Sequence, residues 1–314
     1  MDRAAQRLVA LDGLRGIAAI AVVIGHLFPG LFPNTSLAVD FFFMLSGFVL
    51  VHAFDRRLEK GMAFPEFMVF RCIRLFPMIV LGTVLGAVAA ATFVGLSGML
   101  LIPLSGPLMY PLNPPAWSLL FEMIGSALIG IRLWQRSEVG AAILLGISAL
   151  ALAVAILHRG SIDAGWSVES FHYGMVRVMF GFSAGGMLYR LRPTWTTANP
   201  LPLALLVLAL LMPVKSPAYQ LGIALILFPW LLVIAANAPS FRGAKTLGDL
   251  SYPLYIVHVP VFLILAAAWW PLQMFAAIAV ATLAGRYYDE PVRRWLTRKM
   301  RDVRWQAAQG ASRD

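Results

Sequence analysis

Arg15 and His26 stand 11 positions apart on an otherwise apolar, helix-forming stretch, LDGLRGIAAIAVVIGH from Leu11 to His26. At 3.6 residues per turn the spacing is almost three full turns, so both side chains share one helix face about 16 Å apart along the axis. A cationic anchor and a titratable group are thereby placed in line. Taken alone, Arg15 reads as a helix-end arginine snorkelling to a membrane interface. His26 is different, because an ionisable residue inside an apolar span is by default a functional-site candidate.

Further along, other residues of chemical interest sit in apolar surroundings. Asp40 opens the second apolar run, VDFFFMLSGFVL. If the first two runs form a hairpin through FPGLFPNTS, its carboxylate can meet His26. That contact would fix the imidazole tautomer and raise its basicity, as a general base taking a hydroxyl proton requires. A cap on the second helix is the other reading of Asp40, and Ser46 and Gly47 read as close helix approach or passage of a ligand. Arg71 and Arg74, three residues apart in RCIRLFP, share a helix face and can clamp phosphates; ordinary cytoplasmic-side charge is the alternative. In PPAWSLLFE, Pro114 and Pro115 suit a helix start. Glu122 is then a carboxylate within a span, where it must pair or protonate, with His26, Arg177 or a substrate hydroxyl as partner. Arg177, inside another span, calls for a span carboxylate, and reads either as paired for structure or as a binding residue. Tyr255 and His258 lie one helical turn apart in LGDLSYPLYIVHVPV, either lining a cavity or packed and hydrogen-bonded. His52 and His158 read as solvated residues near membrane edges.

The elements that must position these groups are membrane helices. Of the 314 residues 60% are hydrophobic and 13% charged, and runs such as Leu75 to Phe121 carry no charge at all. A mean hydropathy of +0.78 with this composition excludes a soluble globular domain. The net charge of +10 falls in short clusters between apolar runs, which fits membrane topology rather than nucleic acid. The single cysteine, Cys72, excludes an internal disulfide and a Cys-based metal cluster, and no metal site is expected. Spans of about 20 residues fall near 8–28, 37–54, 72–94, 115–132, 139–157, 171–189, 199–213, 218–236, 248–267 and 269–287. The fold class is thus all-α and polytopic, with about ten transmembrane helices.

Lys and Arg concentrate in the N-terminus, 55–74, 132–138, 190–198, 237–248 and the C-terminal tail. The opposite connections hold only Arg159 and Lys215, so both termini are expected in the cytoplasm. The first helix reads as retained, without a removed signal peptide. The uncharged Gly- and Pro-rich stretch Val94 to Pro115 reads as a re-entrant or lid segment, or as a plain loop. Residues 1–295 form the membrane domain. The basic tail 296–314 is expected to be a juxtamembrane segment near anionic lipid followed by disorder. No internal repeat is visible.

These stretches resemble the bacterial integral-membrane acyltransferase-3 family. The family hallmark, a basic residue and a histidine separated by ten positions, is matched by Arg15 and His26. Further elements follow in the family's order: V-D-x-F-F-x-x-S-G-F at Val39 to Phe48, R-x-x-R-x-x-P at Arg71, Arg74 and Pro77, and W-S-L-x-x-E at Trp117, Ser118, Leu119 and Glu122. S-Y-x-x-Y-x-x-H follows from Ser251 to His258, and YYDEPVRRW, with Glu290 and Pro291, resembles the closing element, read as an anchor at the cytoplasmic face. The resemblance implies an O-acyltransferase of the bacterial inner membrane, with acyl-CoA, acetyl-CoA first, as donor and no permanently bound cofactor. The donor phosphates would lie near Arg15, Arg71 and Arg74, and the pantetheine arm would run along the first helix to His26, the general base. Asp40 or Glu122 would orient that base, while Trp117, Ser118, Tyr255 and His258 would line the substrate site. Trp117 reads as stacking on a sugar or as part of an interfacial aromatic belt. Direct transfer and a covalent acyl-histidine are both open. The expected acceptor is a carbohydrate, either a surface polysaccharide unit or a lipid-linked glycan; no appended esterase-like domain constrains it. The rival readings are a transporter or lipid-glycan flippase, disfavoured by the missing repeats and the asymmetric charges, and an inactive scaffold of the same fold.

Overall fold

The apolar runs fold into helices, except that Leu75 to Phe121 is interrupted between Ala90 and Ala116. The structure, a computed structural model, describes residues 8–132, 137–191 and 201–310, with side chains described as far as residue 302. Among these residues there is no β-strand. The helices are α1 (Val9–Leu27), α2 (Leu37–Glu59), α3 (Phe64–Ala90), α4 (Ala116–Gly130), α5 (Glu138–Arg159), α6 (Phe171–Leu191), α7 (Leu201–Leu211), α8 (Pro217–Gly222), α9 (Phe228–Asn237), α10 (Ala244–Ile264), α11 (Trp270–Ala284) and α12 (Glu290–Gly310). π-helical turns at Ile223–Leu227 and Gly285–Asp289 join α8 to α9 and α11 to α12.

All ten expected spans coincide with helical segments, the α8–α9 rod counting as one. Six of them, α1, α2, α3, α5, α8–α9 and α10, are long and apolar enough to cross a membrane. The helices α4 and α7 are apolar but shorter, so ten full-length spans are more than length and composition support. At 15 residues, α4 reaches about 22 Å, short of the roughly 30 Å hydrocarbon core. The stretch before it is packed rather than loose. A 3₁₀ turn, Leu96–Leu100, lies against α3, the Tyr110 hydroxyl donates to the Leu101 carbonyl at 2.7 Å, and the Met109 N–H donates to the Trp166 carbonyl at 3.0 Å.

Two helix pairs meet at backbone contact and set the frame for the site. On α1, Gly16 faces the Leu247 carbonyl of α10, while Gly248 of α10 faces Asp12. Between α2 and α6, Gly47 faces the Phe182 carbonyl and Gly185 the Met44 carbonyl. A Cβ at any of these four would collide, and small residues at such crossings are how membrane helices approach without a hydrophobic drive between them. Helix α10 also packs on α3 and α11, and α5 packs on α6. On its outer side α5 exposes Val139, Ile143, Ile147, Leu150, Val154 and Leu157, an apolar stripe suited to lipid.

The tail departs from expectation. Where disorder is expected, α12 runs unbroken from Glu290 to Gly310, and 311–314 lie outside the described residues. Arg3, Arg7 and the connections at 133–136 and 192–200 lie outside the described residues.

Candidate functional site

Helix α1 is continuous from Arg15 to His26, so their shared face is retained. Arg15 is tied to α10: Nε donates to Ser251 Oγ at 2.8 Å, Nη2 donates to the Gly248 carbonyl at 3.0 Å, and Asp12 Oδ1 lies 3.2 Å away. At the other end, His26 Nδ1 lies 2.9 Å from the Val22 carbonyl and 3.3 Å from His258 Nε2. A carbonyl only accepts, so Nδ1 carries the proton of the neutral ring. The same argument applies to His258, whose Nδ1 lies 3.1 Å from the Leu254 carbonyl, so its Nε2 offers a lone pair to His26. The consequence is a directed pair. His26 donates from Nδ1, and its Nε2 lone pair remains available on an exposed ring, while His258 is fully buried.

Asp40 does not orient this imidazole. Arg177 takes both carboxylate oxygens, Nε donating to Oδ1 at 3.0 Å and Nη2 to Oδ2 at 2.8 Å. The remaining donors reach the Ala164 and Ser36 carbonyls at 2.6 and 2.9 Å. Both side chains are 2% exposed. The reason lies in helix phase: Asp40 is two turns before Gly47, so it shares the α2 face that packs on α6 rather than the one toward α1. Trp117 belongs to the same enclosed cluster, with the Arg177 guanidinium 5.1 Å from its ring. That face is therefore covered, and Trp117 does not line the cavity described next.

A cavity of about 140 Å³, open at its mouth, is lined by Arg15, Arg71, Arg74, Ser118, Glu122 and Tyr255, among others. Glu122 is partnered by neither His26 nor Arg177. Its Oε1 accepts from Arg71 Nη2 at 2.5 Å and from Ser46 Oγ at 3.3 Å, while Arg71 Nε donates to Ser126 Oγ at 3.0 Å. Helix α3 begins at Phe64, eight residues before the expected span, which sets Arg71 about 10 Å along it rather than at its end. Arg74, one turn on, lies 4.8 Å from the Tyr252 ring centroid, and the Tyr252 hydroxyl donates to the Leu75 carbonyl at 2.5 Å. The hydroxyls of Ser118 and Tyr255 are 2.7 Å apart, and each also approaches the Pro115 carbonyl, at 3.1 and 3.3 Å. Tyr255 stands one turn before His258, their ring centroids 6.2 Å apart, so α10 links the cavity wall to the imidazole pair.

Several contributing residues carry no sequence signal of their role. Ser251 is visible within its motif, but not the fact that it faces Arg15. Asn34 and Gln220 form a buried clamp at the His26 end of α1. Asn34 Nδ2 donates to the Met212 and Val214 carbonyls at 2.8 and 2.9 Å and its Oδ1 accepts from Gln220 Nε2 at 3.1 Å, while Gln220 Oε1 accepts the Ile162 N–H at 2.8 Å. His52 packs edge-on against Tyr189 at 5.4 Å, and His158 is exposed beside Tyr173. Among the described residues no three His, Cys, Asp or Glu gather as metal ligands.

Membrane-crossing helices enclosing an arginine-lined cavity, with an exposed imidazole at one end of α1, define a multi-pass membrane protein with a built polar site. The acyltransferase domain family matches residues 8–287, from the start of α1 into the second π turn, and the chain belongs to that family. It is also similar to Protein 2 in picA locus of Rhizobium radiobacter, 34% identical over 184 residues that span 48% of this chain and 95% of that protein. No solved structure matches it.

Proposed function

We propose that the protein transfers an acyl group, acetyl before longer chains, from acyl-CoA supplied by the cytoplasm to a hydroxyl of a carbohydrate or lipid-linked glycan. The setting is the bacterial inner membrane, with both termini cytoplasmic. The observation that carries this reading is the His26 ring, whose Nδ1 proton is committed to Val22 and His258 while Nε2 keeps an open lone pair at the far end of the helix that brings Arg15 to the cavity.

In the proposed reaction the acceptor hydroxyl gives its proton to His26 Nε2 as its oxygen bonds to the thioester carbon. The carbonyl electron pair moves to oxygen, then re-forms the double bond as the C–S bond breaks. The departing thiolate takes the proton back from Nε2. Through that cycle His258 Nε2 accepts from the Nδ1–H and holds the ring in its tautomer, the role a carboxylate plays in many bases. The Ser118 and Tyr255 hydroxyls, 2.7 Å apart on the cavity wall, are the donors offered to a developing oxyanion. In a covalent route, Nε2 itself would attack the thioester.

The test follows label from radioactive acetyl-CoA in membranes carrying the protein. Transfer to the glycan fraction falls by roughly 10²–10⁴ in His26→Ala, while acetyl-CoA binding by the purified variant is retained. Full transfer by folded His26→Ala overturns the role of the base. Label remaining on denatured wild type marks the covalent route. Folded wild type that binds neither acetyl-CoA nor longer acyl-CoAs overturns the donor and favours a transport function.

A further inference from the structure

The cavity's arginines are not equally available to an anion. Arg15 is paired with Asp12 and Arg71 with Glu122. Arg74 has no carboxylate within ion-pair distance among the described residues, and its Nη1 is buried without a hydrogen-bond partner. Its neighbour beyond the cavity is the turn between α11 and α12. There Arg293 pairs with Asp289 at 2.9 Å, yet Arg293 Nε and Asp289 Oδ1 are also buried and unpartnered. Burial and then the Arg74 charge hold the Arg293 pKa below its usual value, which puts the two guanidiniums within electrostatic reach of each other.

From Arg293 the cationic surface continues along α12. Glu290, Arg293, Arg294, Thr297, Arg298 and Arg301 line one shallow groove. The spacing explains it: 293, 297 and 301 form one row and 294 and 298 the adjacent row, about 12 Å of a single helix face. Glu290 pairs with Arg294 at 2.5 Å, while among the described residues no carboxylate pairs with Arg298 or Arg301. Set against the paired Asp289 and Glu290, Arg74 and these four α12 arginines leave an excess of three positive charges among these seven residues. Arginine forks of this kind suit phosphate oxygens.

We infer that the groove of α12, entered past Arg74 and Arg293, holds the phosphorylated nucleotide end of the acyl-CoA, the 3′-phosphate and diphosphate lying on Arg293, Arg298 and Arg301 rather than on Arg15 and Arg71. This rests on the donor assigned under Proposed function. The cavity beyond Arg74 then takes only the uncharged pantetheine and acyl portions, which suits a space whose deeper arginines are already neutralised. A lipid headgroup offers the same phosphate chemistry to an exposed basic face, so the test separates the two sources.

The test uses full-length protein purified in detergent, with Arg298→Ala/Arg301→Ala as the variant; both arginines are exposed, so folding is not at stake. Acetyl-CoA binding weakens about tenfold or more, competition by adenosine 3′,5′-bisphosphate is lost, and binding of S-acetylpantetheine, which has no nucleotide, is unchanged. Raising salt weakens acetyl-CoA but not S-acetylpantetheine. Equal acetyl-CoA affinity in variant and wild type overturns the inference, and if the variant instead loses only its retention on phosphatidylglycerol vesicles, the phosphate belongs to lipid. Wild type that does not bind acetyl-CoA overturns the donor itself, an outcome distinct from either.

Discussion

Replacing Glu122 by Gln removes the charge opposite Arg71 while keeping the shape of the side chain. The pair is close, 2.5 Å, with side chains 10% and 18% exposed for Arg71 and Glu122. Stripping one partner from a fully enclosed ion pair costs about 3–5 kcal/mol, because the surviving charge is left buried. Here both residues line the wall of an open cavity, so water can reach the orphaned guanidinium and about 2–3 kcal/mol is expected instead. At roughly 2–4 °C per kcal/mol for larger domains, thermal unfolding in detergent drops by about 4–12 °C. The double replacement Arg71→Met/Glu122→Leu removes both charges and recovers most of that loss, since an apolar pair of similar volume has no buried charge to satisfy. With the single variants Arg71→Met and Glu122→Leu, the thermodynamic cycle should then give a coupling of about 2 kcal/mol between the positions. Tryptophan fluorescence reports the transition, and acetyl-CoA binding measured alongside returns with the double variant if Glu122 acts only through Arg71. A Glu122→Gln protein that unfolds within 1 °C of wild type, or a double variant weaker than either single, refutes the reasoning.

Three further outcomes follow from the packing and charges. Asp40→Asn orphans the enclosed Arg177 and costs about 3–5 kcal/mol, lowering the folded yield. Transfer per folded molecule nonetheless stays within a few-fold of wild type because Asp40 does not touch His26; a hundredfold loss at wild-type stability would place Asp40 in the chemistry. Burial raises the Asp289 carboxyl above its usual value, against the pull of Arg293 and Arg74. A raised carboxylate favours the fold while protonated, so stability relative to Asp289→Asn falls as pH climbs from 3.8 through the raised value and is flat above it; a difference curve that instead rises with pH contradicts this. Gly185→Val drives a side chain into the Met44 carbonyl and should abolish detergent-stable protein, whereas Gly146→Ala, with open space around it on α5, should be neutral or stabilise by about 0.5–1 kcal/mol; size-exclusion profiles of the two distinguish them.

The helices and the line from Arg15 to His26 were legible because period and spacing carry through a continuous helix. That Arg177 needs a span carboxylate was equally legible, since an isolated guanidinium among apolar helices has no other relief. Which carboxylate it takes was not. Asp40 and Glu122 are interchangeable to a hydropathy argument, and the choice between Arg177 and Arg71 is made by helix phase and by depth. The phase of α2 follows from Gly47 packing on α6. The depth of Arg71 follows from the start of α3 at Phe64, in a stretch of mixed polarity where an apolar window does not begin. His258 was open between cavity lining and packing; it is packed, and it is also the contact that holds His26, which no local pattern encodes. The extension of α12 past residue 296 was hidden because a basic, polar sequence reads the same whether helical or disordered.

The distribution of satisfied charge carries the last step. Every donor nitrogen of Arg177 is engaged, by Asp40 and by the Ala164 and Ser36 carbonyls, and its charge is matched by an enclosed carboxylate. Arg71 shares its charge with Glu122, and Arg15 shares its own with Asp12 while bonding Ser251 and Gly248. Arg74 and Arg293 each keep a buried donor without an acceptor, and the cations then run outward along α12. An anionic ligand gains most where positive charge is not already compensated and least where admitting it would break an existing pair. A donor with a charged head and a neutral arm is therefore oriented head-out by the protein's own ion pairs. On the proposed donor assignment, the reactive end would be drawn inward, toward Tyr255 and the histidine pair beyond it, without any positive charge needed at the imidazole. On the proposed assignment of donor and base, the carboxylates nearest the cavity would act by neutralising Arg15 and Arg71, keeping the arm's path electrically quiet, and His26 would work with a second histidine in place of an acid.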